Sequence, residues 1–465
     1  MISFILNNQL VYTDKSSGGS LLDFIRYEQD LPGTKIGCRE GDCGACTVLE
    51  GTLENGKVSY KSIVSCLTPL GNAHGKHIVT IEGINMGHLT PVQKAFVENA
   101  ATQCGFCTPG FIMSLTGHSL SSEKSTKQSA IASVSGNICR CTGYKSIEKA
   151  AEAIAEILKD KNVDDPINWL VKNKHLPEYF LEIPSRLNKI HKVTPVAEVE
   201  STIIAGGTDL MVQKAEILAE ADINLFQNRI DLKGIKIENG KCILGAATTA
   251  SELEESIEIR KVVPEIVSYL KLISSKPIRN MGTIAGNIVN ASPIGDISIM
   301  LLALNAEVNL SNGKSIPLKE FYLGYKKLAL DKGDYIKNVS FPVPKKPSLF
   351  NFEKVSKRTH LDIASVNSAI QLYMNGDKIV DCFLSAGGIA PIPMFLCKTC
   401  DFLKGKTITI EVLHKANEVL QGEISPISDV RGSVEYKRLL LRQLFFAHFI
   451  KLFTNKINFN ELKEI

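Results

Sequence analysis

Cysteine spacing near the start of the chain most narrows the folds that it can adopt. Cys38, Cys43 and Cys46 stand in a C-x4-C-x2-C arrangement, and Cys66 follows twenty residues later. This is the ligand spacing of a plant-type [2Fe–2S] centre. Zinc sites usually pair short spacings around a longer gap, so a zinc site or a set of disulfides fits the pattern less well. Because such centres pass electrons singly, the spacing predicts a redox protein.

Glycines in the same loop suit that chemistry. Gly37, Gly41 and Gly44 alternate with the cysteines. Glycine allows the unusual dihedral angles and the close backbone approach that converging thiolates need. Amide N–H groups left free in such a loop can point at the sulfurs and tune the potential.

Composition excludes several other classes of protein. The 465 residues suggest about three domains, and the net charge of +4 is too small to indicate nucleic-acid binding. The N-terminus lacks a signal-peptide pattern, and the apolar run 297–304 is too short to span a bilayer. The apolar stretch 439–453 is broken by polar residues, which predicts an amphipathic packed helix. Twelve cysteines without a secretion signal favour a reducing compartment, and we expect a cytoplasmic protein.

A second group of cysteines follows the first. Cys104 and Cys107 form a C-x2-C pair, and Cys139 and Cys141 form a C-x-C pair, both at predicted helix ends. Helix N-termini favour a negatively charged cluster. Spacing alone leaves zinc open here. The neighbouring first centre favours a second electron relay.

Three motifs carry a family resemblance. GCREGDCGACTV, QCGFCTPGF and GNICRCTGY together resemble the iron–sulfur portion of the molybdenum hydroxylases, the xanthine dehydrogenase family. The resemblance implies one [2Fe–2S] cluster on each group of four cysteines, the second lying nearer the molybdenum. The implied ligands are Cys38, Cys43, Cys46 and Cys66 for the first and Cys104, Cys107, Cys139 and Cys141 for the second.

Two glycine-rich turns lie further along the chain. Residues 203–210 run from an apolar strand into a Gly-Gly turn, whose bare N–H groups can bind a diphosphate. The turn is not G-x-G-x-x-G, so a Rossmann dinucleotide fold is not indicated, and alone it is a weak signal. A second turn covers residues 283–287.

The resemblance extends over both turns, to the FAD domains of xanthine dehydrogenases and of carbon monoxide dehydrogenase flavoproteins. Lys354 without the family would equally be a solvated strand lysine. The implied FAD contacts are Ile203, Ile204, Ala205, Gly206, Gly207, Thr208, Asp209, Leu210, Ile273, Thr283, Ile284, Ala285, Gly286, Asn287, Asp296, Ile336 and Lys354.

The expected fold class is multidomain α+β, with a polar, proline-containing linker. In chain order we expect a β-grasp ferredoxin-like [2Fe–2S] domain at 1–85, a four-helix [2Fe–2S] domain at 86–160, the linker at 161–184, an α+β FAD-binding domain at 185–345 and a C-terminal α+β flavoprotein domain at 346–465. Cys397 and Cys400, an isolated C-x2-C, are expected to be ordinary packed thiols.

The resemblance implies an electron-transfer subunit. A partner subunit with the molybdopterin would oxidise a substrate, in first place xanthine or hypoxanthine. Electrons would then pass through the two clusters to FAD and on to NAD, in a heterotetramer with the large molybdenum subunit. No catalytic base is expected in this chain, and neither nucleic acid nor membrane is an expected partner. The alternatives are another molybdenum hydroxylase, acting on nicotinate, an aldehyde or carbon monoxide, and a stand-alone iron–sulfur flavin redox module.

Overall fold

A computed structural model describes residues 1–190, 201–344, 348–358, 361–457 and 462. The described residues mix helices and strands and form two compact units. The first unit comprises Met1–Arg229 and Ser275–Gly282, and the second comprises Ile230–Ser274 and Thr283–Ile465. No described helix is both long and apolar enough to cross a membrane.

The strands of the described chain are mostly short. They are β1 (Ile2–Leu6), β2 (Gln9–Thr13), β3 (Thr47–Glu54), β4 (Lys57–Val64), β5 (His77–Val79), β6 (Thr202–Ile204), β7 (Ile223–Leu225), β8 (Ile235–Glu238), β9 (Lys241–Gly245), β10 (Glu307–Leu310), β11 (Ser315–Pro317), β12 (Tyr322–Gly324), β13 (Lys327–Leu328), β14 (Ile336–Pro342), β15 (Ser348–Val355), β16 (Val366–Asn375), β17 (Lys378–Gly387) and β18 (Met394–Phe395).

The α-helices range from single turns to five turns. They are α1 (Leu21–Asp23), α2 (Pro91–Glu98), α3 (Thr108–Leu120), α4 (Lys127–Ser133), α5 (Lys145–Ile157), α6 (Pro166–Lys172), α7 (Ile183–Leu187), α8 (Leu210–Gln213), α9 (Ala215–Glu220), α10 (Ala250–Glu255), α11 (Ile257–Val262), α12 (Ile266–Leu270), α13 (Lys276–Arg279), α14 (Ile284–Asn290), α15 (Asp296–Ala303), α16 (Leu318–Phe321), α17 (Cys397–Leu403), α18 (Ile410–Glu423) and α19 (Val434–Leu452).

The first unit begins with a mixed sheet in the order β2-β1-β5-β3-β4. Strands β1 and β2 form a hairpin and pair antiparallel around the Asn7–Asn8 turn, with Leu6 opposite Gln9. Strand β5 runs parallel to β1 and antiparallel to β3. Phe4 and Ile5 are fully buried on this sheet, which supports the loops that carry the first four cysteines.

Four helices, α2 to α5, follow the sheet, as the sequence predicts. Thr90 begins α2 with a capping box to Gln93, and Pro91 occupies the first turn. Helix α5 has a buried apolar face, because Ile147 and Ile154 lie in the core that α5 shares with α2 and α3.

The stretch 161–184 differs from the expected polar linker. Pro166 starts helix α6 and Pro184 lies in the first turn of α7. Leu170 and Phe180 are buried in the same core as the four helices. The prolines therefore mark helix starts, where the missing N–H group costs nothing. The domain boundaries stay predictions, and the one at 345 lies outside the described residues.

Among its described residues, the second unit contains a small antiparallel pair, β12 and β13, and two larger antiparallel sheets. The strand orders of the larger sheets are β11-β10-β14-β9-β8 and β15-β16-β17-β18. Helices α15 and α19 pack against the second sheet. Helix α19 confirms the predicted C-terminal packed helix, and its Phe445 and Phe449 are fully buried.

Candidate functional site

The first four cysteines lie on loops that border strands β3 and β4. Val64 at the end of β4 pairs with Thr47 at the start of β3. This register brings Cys46 and Cys66 side by side, just beyond the paired residues, and their thiols are hydrogen-bonded. The thiols of Cys38 and Cys43 form the second pair of this group.

In each of these pairs, one thiol has a lowered pKa and the other has a raised pKa. The contact with Cys43 lowers the pKa of Cys38 to about 5 and raises the pKa of Cys43. The contact with Cys66 lowers the pKa of Cys46, and the pKa of Cys66 rises. One thiol in each pair therefore has a lowered pKa, and the thiolate is the form that binds metal.

The backbone of this loop is shaped around sulfur, as its glycines suggest. The amides of Glu40 and Cys43 point at the sulfur of Cys38, at 3.3 and 3.4 Å. A Cβ on Gly37 would lie 2.5 Å from the sulfur of Cys43, so no side chain fits there. Gly44 has a φ of +66°, a left-handed conformation that favours glycine.

The second four cysteines gather around the start of helix α3. Thr108 is the first helical residue, and Cys107 occupies the N-cap position. The thiols of Cys107 and Cys139 are hydrogen-bonded, as are those of Cys104 and Cys141. Cys139 is buried, whereas Cys104 and Cys141 are exposed.

Thr142 and Tyr144 surround the sulfur and backbone of Cys139. The Thr142 hydroxyl donates to that sulfur at 3.1 Å and the Thr142 amide at 3.4 Å. Burial acts to raise the pKa of Cys139, but the hydrogen bonds from Thr142, the Cys141 amide and the Cys107 thiol together outweigh it, so the pKa is lowered. The amide of Cys139 donates to the hydroxyl of Tyr144 at 3.1 Å.

Each group of thiols consists of two close pairs rather than four sulfurs around one point. Charge interactions link the pairs, from Cys38 to Cys46 and Cys66 and from Cys104 to Cys107. No three His, Cys, Asp or Glu side chains among the described residues are placed to hold one metal ion. Two pairs suit two iron atoms with two cysteine ligands each, which favours [2Fe–2S] over tetrahedral zinc.

The Gly-Gly turn lies in the first unit, between β6 and α8. No described group accepts a hydrogen bond from the amides of Gly206, Gly207, Thr208 or Asp209. Gly207 has a φ of +77°. Successive free amides beside a left-handed residue form a concave anion site, so residues 203–210 fit the diphosphate of FAD.

Close packing explains both glycines of this turn. A Cβ on Gly206 would lie 2.0 Å from the carbonyl oxygen of Met281, and one on Gly207 would lie 2.8 Å from Pro69 Cδ. Pro69 stands three residues after Cys66. The predicted flavin turn therefore rests on the segment that carries a predicted ligand of the first cluster.

In the second unit, Asp296 and Lys354 form a buried ion pair. The ammonium of Lys354 donates to Asp296 Oδ2 and to the carbonyl of Leu272, both at 2.8 Å. Its side chain is 2% exposed, so the alternative of a solvated strand lysine is wrong. Asn367, which the sequence does not single out, donates to Asp296 Oδ1 at 2.5 Å. Ile273, a further predicted contact, directly follows Leu272 and is buried.

The second glycine turn is less open than the sequence suggests. The amides of Ile284 and Ala285 donate to carbonyls of the second unit, and the Gly286 amide donates to the Thr283 hydroxyl. Asn287 Oδ1 accepts hydrogen bonds from Ser298. A diphosphate cradle of bare amides is therefore not formed here, because the start of α14 uses them.

The remaining predicted residues are packed ones. Ile336 is buried in β14. Cys400 is buried against Cys382, with hydrogen-bonded thiols, as expected of packed cysteines. Cys397, the first residue of the short helix α17, is exposed instead.

Four domain families match the chain in order. Residues 4–70 match the 2Fe-2S iron-sulfur cluster binding domain, and residues 80–152 match a second [2Fe-2S] binding domain. Residues 178–344 match the FAD binding domain in molybdopterin dehydrogenase. Residues 352–452 match the CO dehydrogenase flavoprotein C-terminal domain.

Similar curated proteins are xanthine dehydrogenases. Xanthine dehydrogenase 1 of Arabidopsis thaliana is 28% identical over 96% of this chain and 39% of its own length. The enzyme of Blastobotrys adeninivorans is 29% identical over 93% of this chain and 39% of its own length. The chain thus spans about two fifths of the length of these relatives.

Similar solved structures include carbon monoxide dehydrogenases. A chain of the reconstituted enzyme from Oligotropha carboxidovorans is 27% identical with a TM-score of 0.50, covering 54% of this chain and 88% of its own. A chain of the Hydrogenophaga pseudoflava enzyme that lacks the Mo-pyranopterin moiety is 25% identical with a TM-score of 0.50, covering 52% and 86%.

Proposed function

We infer the function of this chain from its family. The chain is the iron–sulfur and FAD portion of a molybdenum hydroxylase family oxidoreductase. Its domains are electron-transfer domains, two for [2Fe–2S] clusters and one for FAD. We propose that it accepts electrons from a molybdopterin-bearing large subunit, in a cytoplasmic heterotetramer, and delivers them to NAD. The proposed substrate of that partner is xanthine or hypoxanthine.

The eight cysteines are the proposed iron ligands. When bound, the clusters supply one-electron transfer and FAD supplies the conversion to a two-electron hydride. The chain's own part is to hold sulfur, position hydrogen bonds and exclude water. The amides of Glu40 and Cys43 stabilise negative charge on the Cys38 sulfur, and Thr142 does the same for Cys139.

FAD is proposed to contact the seventeen residues implied by the resemblance. In the first unit, the free amides of Gly206 to Asp209 suit its diphosphate. In the second unit, Asp296 is fixed by Lys354 and Asn367 and can present its backbone and carboxylate in one orientation. The contact at 283–287 is proposed as close backbone approach, since its amides are already bonded.

The observation that carries this proposal is the pair of four-thiol groups in one chain with the FAD-binding domain. Xanthine dehydrogenase relatives over nearly the whole chain support xanthine. Similarity to carbon monoxide dehydrogenase structures favours a second candidate, the same electron-transfer role beside another molybdenum site.

Purification of the native complex without oxygen tests the proposal. We expect iron, FAD and a large pterin-containing partner, with two paramagnetic centres after reduction. NAD reduction should depend on xanthine and not on carbon monoxide, nicotinate or an aldehyde. Zinc in place of iron would contradict the cluster assignment, and activity with another substrate would leave the electron-transfer role and replace xanthine.

Two cysteine variants provide matched controls for the cluster assignment. Cys104→Ser should abolish the second paramagnetic centre, because a predicted ligand is lost. Cys242→Ala changes a buried thiol of the second unit that has no proposed metal role, and it should leave both centres intact.

A further inference from the structure

The two cysteine-bearing loops of the first unit are joined by a backbone hydrogen bond. The amide of Ile138 donates to the carbonyl of Cys43 at 2.9 Å. Ile138 immediately precedes Cys139. One hydrogen bond therefore completes a route along the main chain between a proposed ligand of the first centre and a proposed ligand of the second.

The side chain of Asn137 adds hydrogen bonds at this junction, the place where the two cysteine-bearing loops meet. Its side-chain amide Nδ2 donates to the carbonyl of Gly44 at 3.0 Å, and its Oδ1 accepts from the Ser114 hydroxyl at 2.7 Å. The residue is 4% exposed. Because Ser114 belongs to α3, whose N-cap is Cys107, a single buried side chain connects the first loop, the second loop and this helix.

The junction is packed too closely for any additional side chain. A Cβ on Gly44 would lie 2.3 Å from the Gly136 carbonyl oxygen and 2.6 Å from Asn137 Nδ2. A Cβ on Gly110 would lie 2.2 Å from the carbonyl oxygen of Gly44. Direct backbone contact therefore sets the separation of the two loops. The side chain of Asn137 lies within this contact region.

We propose that Asn137 is a positioning residue for electron exchange between the two [2Fe–2S] centres, a role that rests on the proposed function. In this exchange one electron leaves one centre and enters the other, so the first is oxidised as the second is reduced and no proton or atom moves. The described hydrogen bonds of the Asn137 side chain go to Gly44, Ser114 and Thr47 and to no cysteine sulfur. It acts by holding the Cys43–Ile138 hydrogen bond closed and the two loops at a fixed separation.

The test uses the full-length chain, prepared without oxygen and reduced with dithionite. Asn137→Ala should keep the iron of both centres and both paramagnetic signals, while the magnetic interaction between the two signals weakens. The rate of electron exchange between the two centres, measured after rapid addition of reductant, should fall by about tenfold. This is the lower end of what loss of an outer-shell partner costs at metal sites. A residue needed only for folding would change the amount of loaded protein and leave this interaction unchanged.

Two further variants complete the design. Ser114→Ala removes the hydroxyl that orients the Asn137 amide, without touching either cysteine loop, and should weaken the interaction in the same direction. Asn99→Ala is the matched control: its side chain also donates to a backbone carbonyl in this helical region, that of Ala95, and should have no effect.

The outcomes separate this inference from the proposed function. A wild-type chain that holds zinc, or a single centre, overturns the proposed function and this inference together. A wild-type chain with two centres, and an unchanged magnetic interaction in both Asn137→Ala and Ser114→Ala, overturns this inference alone. If Asn137→Ala loses a centre, Ser114→Ala decides: a weakened interaction supports the role of Asn137, and an unchanged one overturns it.

Discussion

Thr142 is the residue whose side chain bonds a proposed ligand sulfur most directly, at 3.1 Å from Cys139. Hydrogen bonds to cluster sulfurs favour the more negative, reduced form and so raise the potential. Thr142→Val removes the hydroxyl. If that bond is worth about 1 kcal/mol more in the reduced form, the midpoint potential of the second centre falls by about 40 mV. A redox titration followed by paramagnetic resonance measures the shift, and Thr142→Ser should retain the wild-type value.

Lys354 is a buried cation of the second unit, with Asp296 as its partner. Removing one partner of a buried ion pair leaves an uncompensated charge, which typically costs about 3–5 kcal/mol. Lys354→Met should lower the free energy of unfolding by that amount in urea titrations and weaken FAD retention. Asp296→Asn combined with Lys354→Met should cost less than the sum of the single changes.

Lys451 offers the control for that experiment. It lies 3.5 Å from Glu353, but its side chain is 53% exposed. Because exposed pairs contribute about 0–1 kcal/mol, Lys451→Met should change stability little. An equal loss in both lysine variants would contradict the special role of the buried pair.

Residue-level prediction from the sequence is strongest where chemistry imposes a spacing. The cysteines carry such a spacing, and the structure gathers them in two groups. Asn137 and Asn367 carry none, because a lone asparagine has no periodic partner and its hydrogen bonds cross long sequence distances. Asn137 stands inside a recognised motif, which is the only sequence signal that could have marked it.

In helix α3, close packing against the first cysteine loop limits which residue fits at position 110. Alanine normally stabilises a helix interior by about 1 kcal/mol relative to glycine. At Gly110 the added Cβ would lie 2.2 Å from the Gly44 carbonyl oxygen, so overpacking of about 1–3 kcal/mol should exceed that gain. Gly110→Ala should therefore lower the thermal unfolding midpoint.

Gly117 in the same helix is the internal comparison. A Cβ there would lie 2.9 Å from the tip of the Leu49 side chain, a longer approach than at Gly110 and to a side chain rather than to backbone. Gly117→Ala should be neutral or mildly stabilising. If both alanine variants unfold alike, the contact between α3 and the first cysteine loop is not tight.

Elements with strong local signals were predictable, and elements fixed by packing were not. The β1–β2 hairpin and the amphipathic face of α5 follow from alternation and helical period. The stretch 161–184 was misread because Pro166 and Pro184 indicate chain breaks equally well as helix starts. Burial of Phe180 decided between them, and burial is a tertiary property.

Across the whole molecule, buried histidines set an acid limit on stability. Burial lowers the pKa of His77 to about 3, of His118 to about 4 and of His448 to about 3. In the unfolded chain these histidines bind protons with a pKa of about 6.5. Between that pH and the lowered pKa values, the unfolded chain therefore holds more protons than the folded chain. Stability therefore falls as pH drops below about 6.5, by about 2 kcal/mol at pH 5 for His448 alone.

Histidine variants measure that contribution. His448 is held neutral, because its Nδ1 accepts from Asn351 and its Nε2 donates to Ser368. His448→Gln should flatten the decline of the unfolding midpoint between pH 7 and pH 5. Exposed His88→Gln should leave the decline as in the wild type. A slope unaffected by His448→Gln would assign the acid sensitivity elsewhere.

The order of domains was predictable, but the membership of the compact units was not. Four family matches follow one another along the sequence. Ser275–Gly282 nevertheless belongs to the first unit, where Asn280 donates to the carbonyl of Ser62. No local pattern marks such an excursion, since it depends on contacts between residues more than two hundred positions apart.

That excursion constrains how the protein is made. The first unit lacks its last segment until residue 282 of 465 has emerged from the ribosome, so its folding cannot finish during early synthesis. A gene divided after the helical cysteine region would encode an iron–sulfur polypeptide missing both Ser275–Gly282 and the strands β6 and β7. If this chain were divided into two separately translated halves, each product would therefore need a new surface where the missing segments now pack.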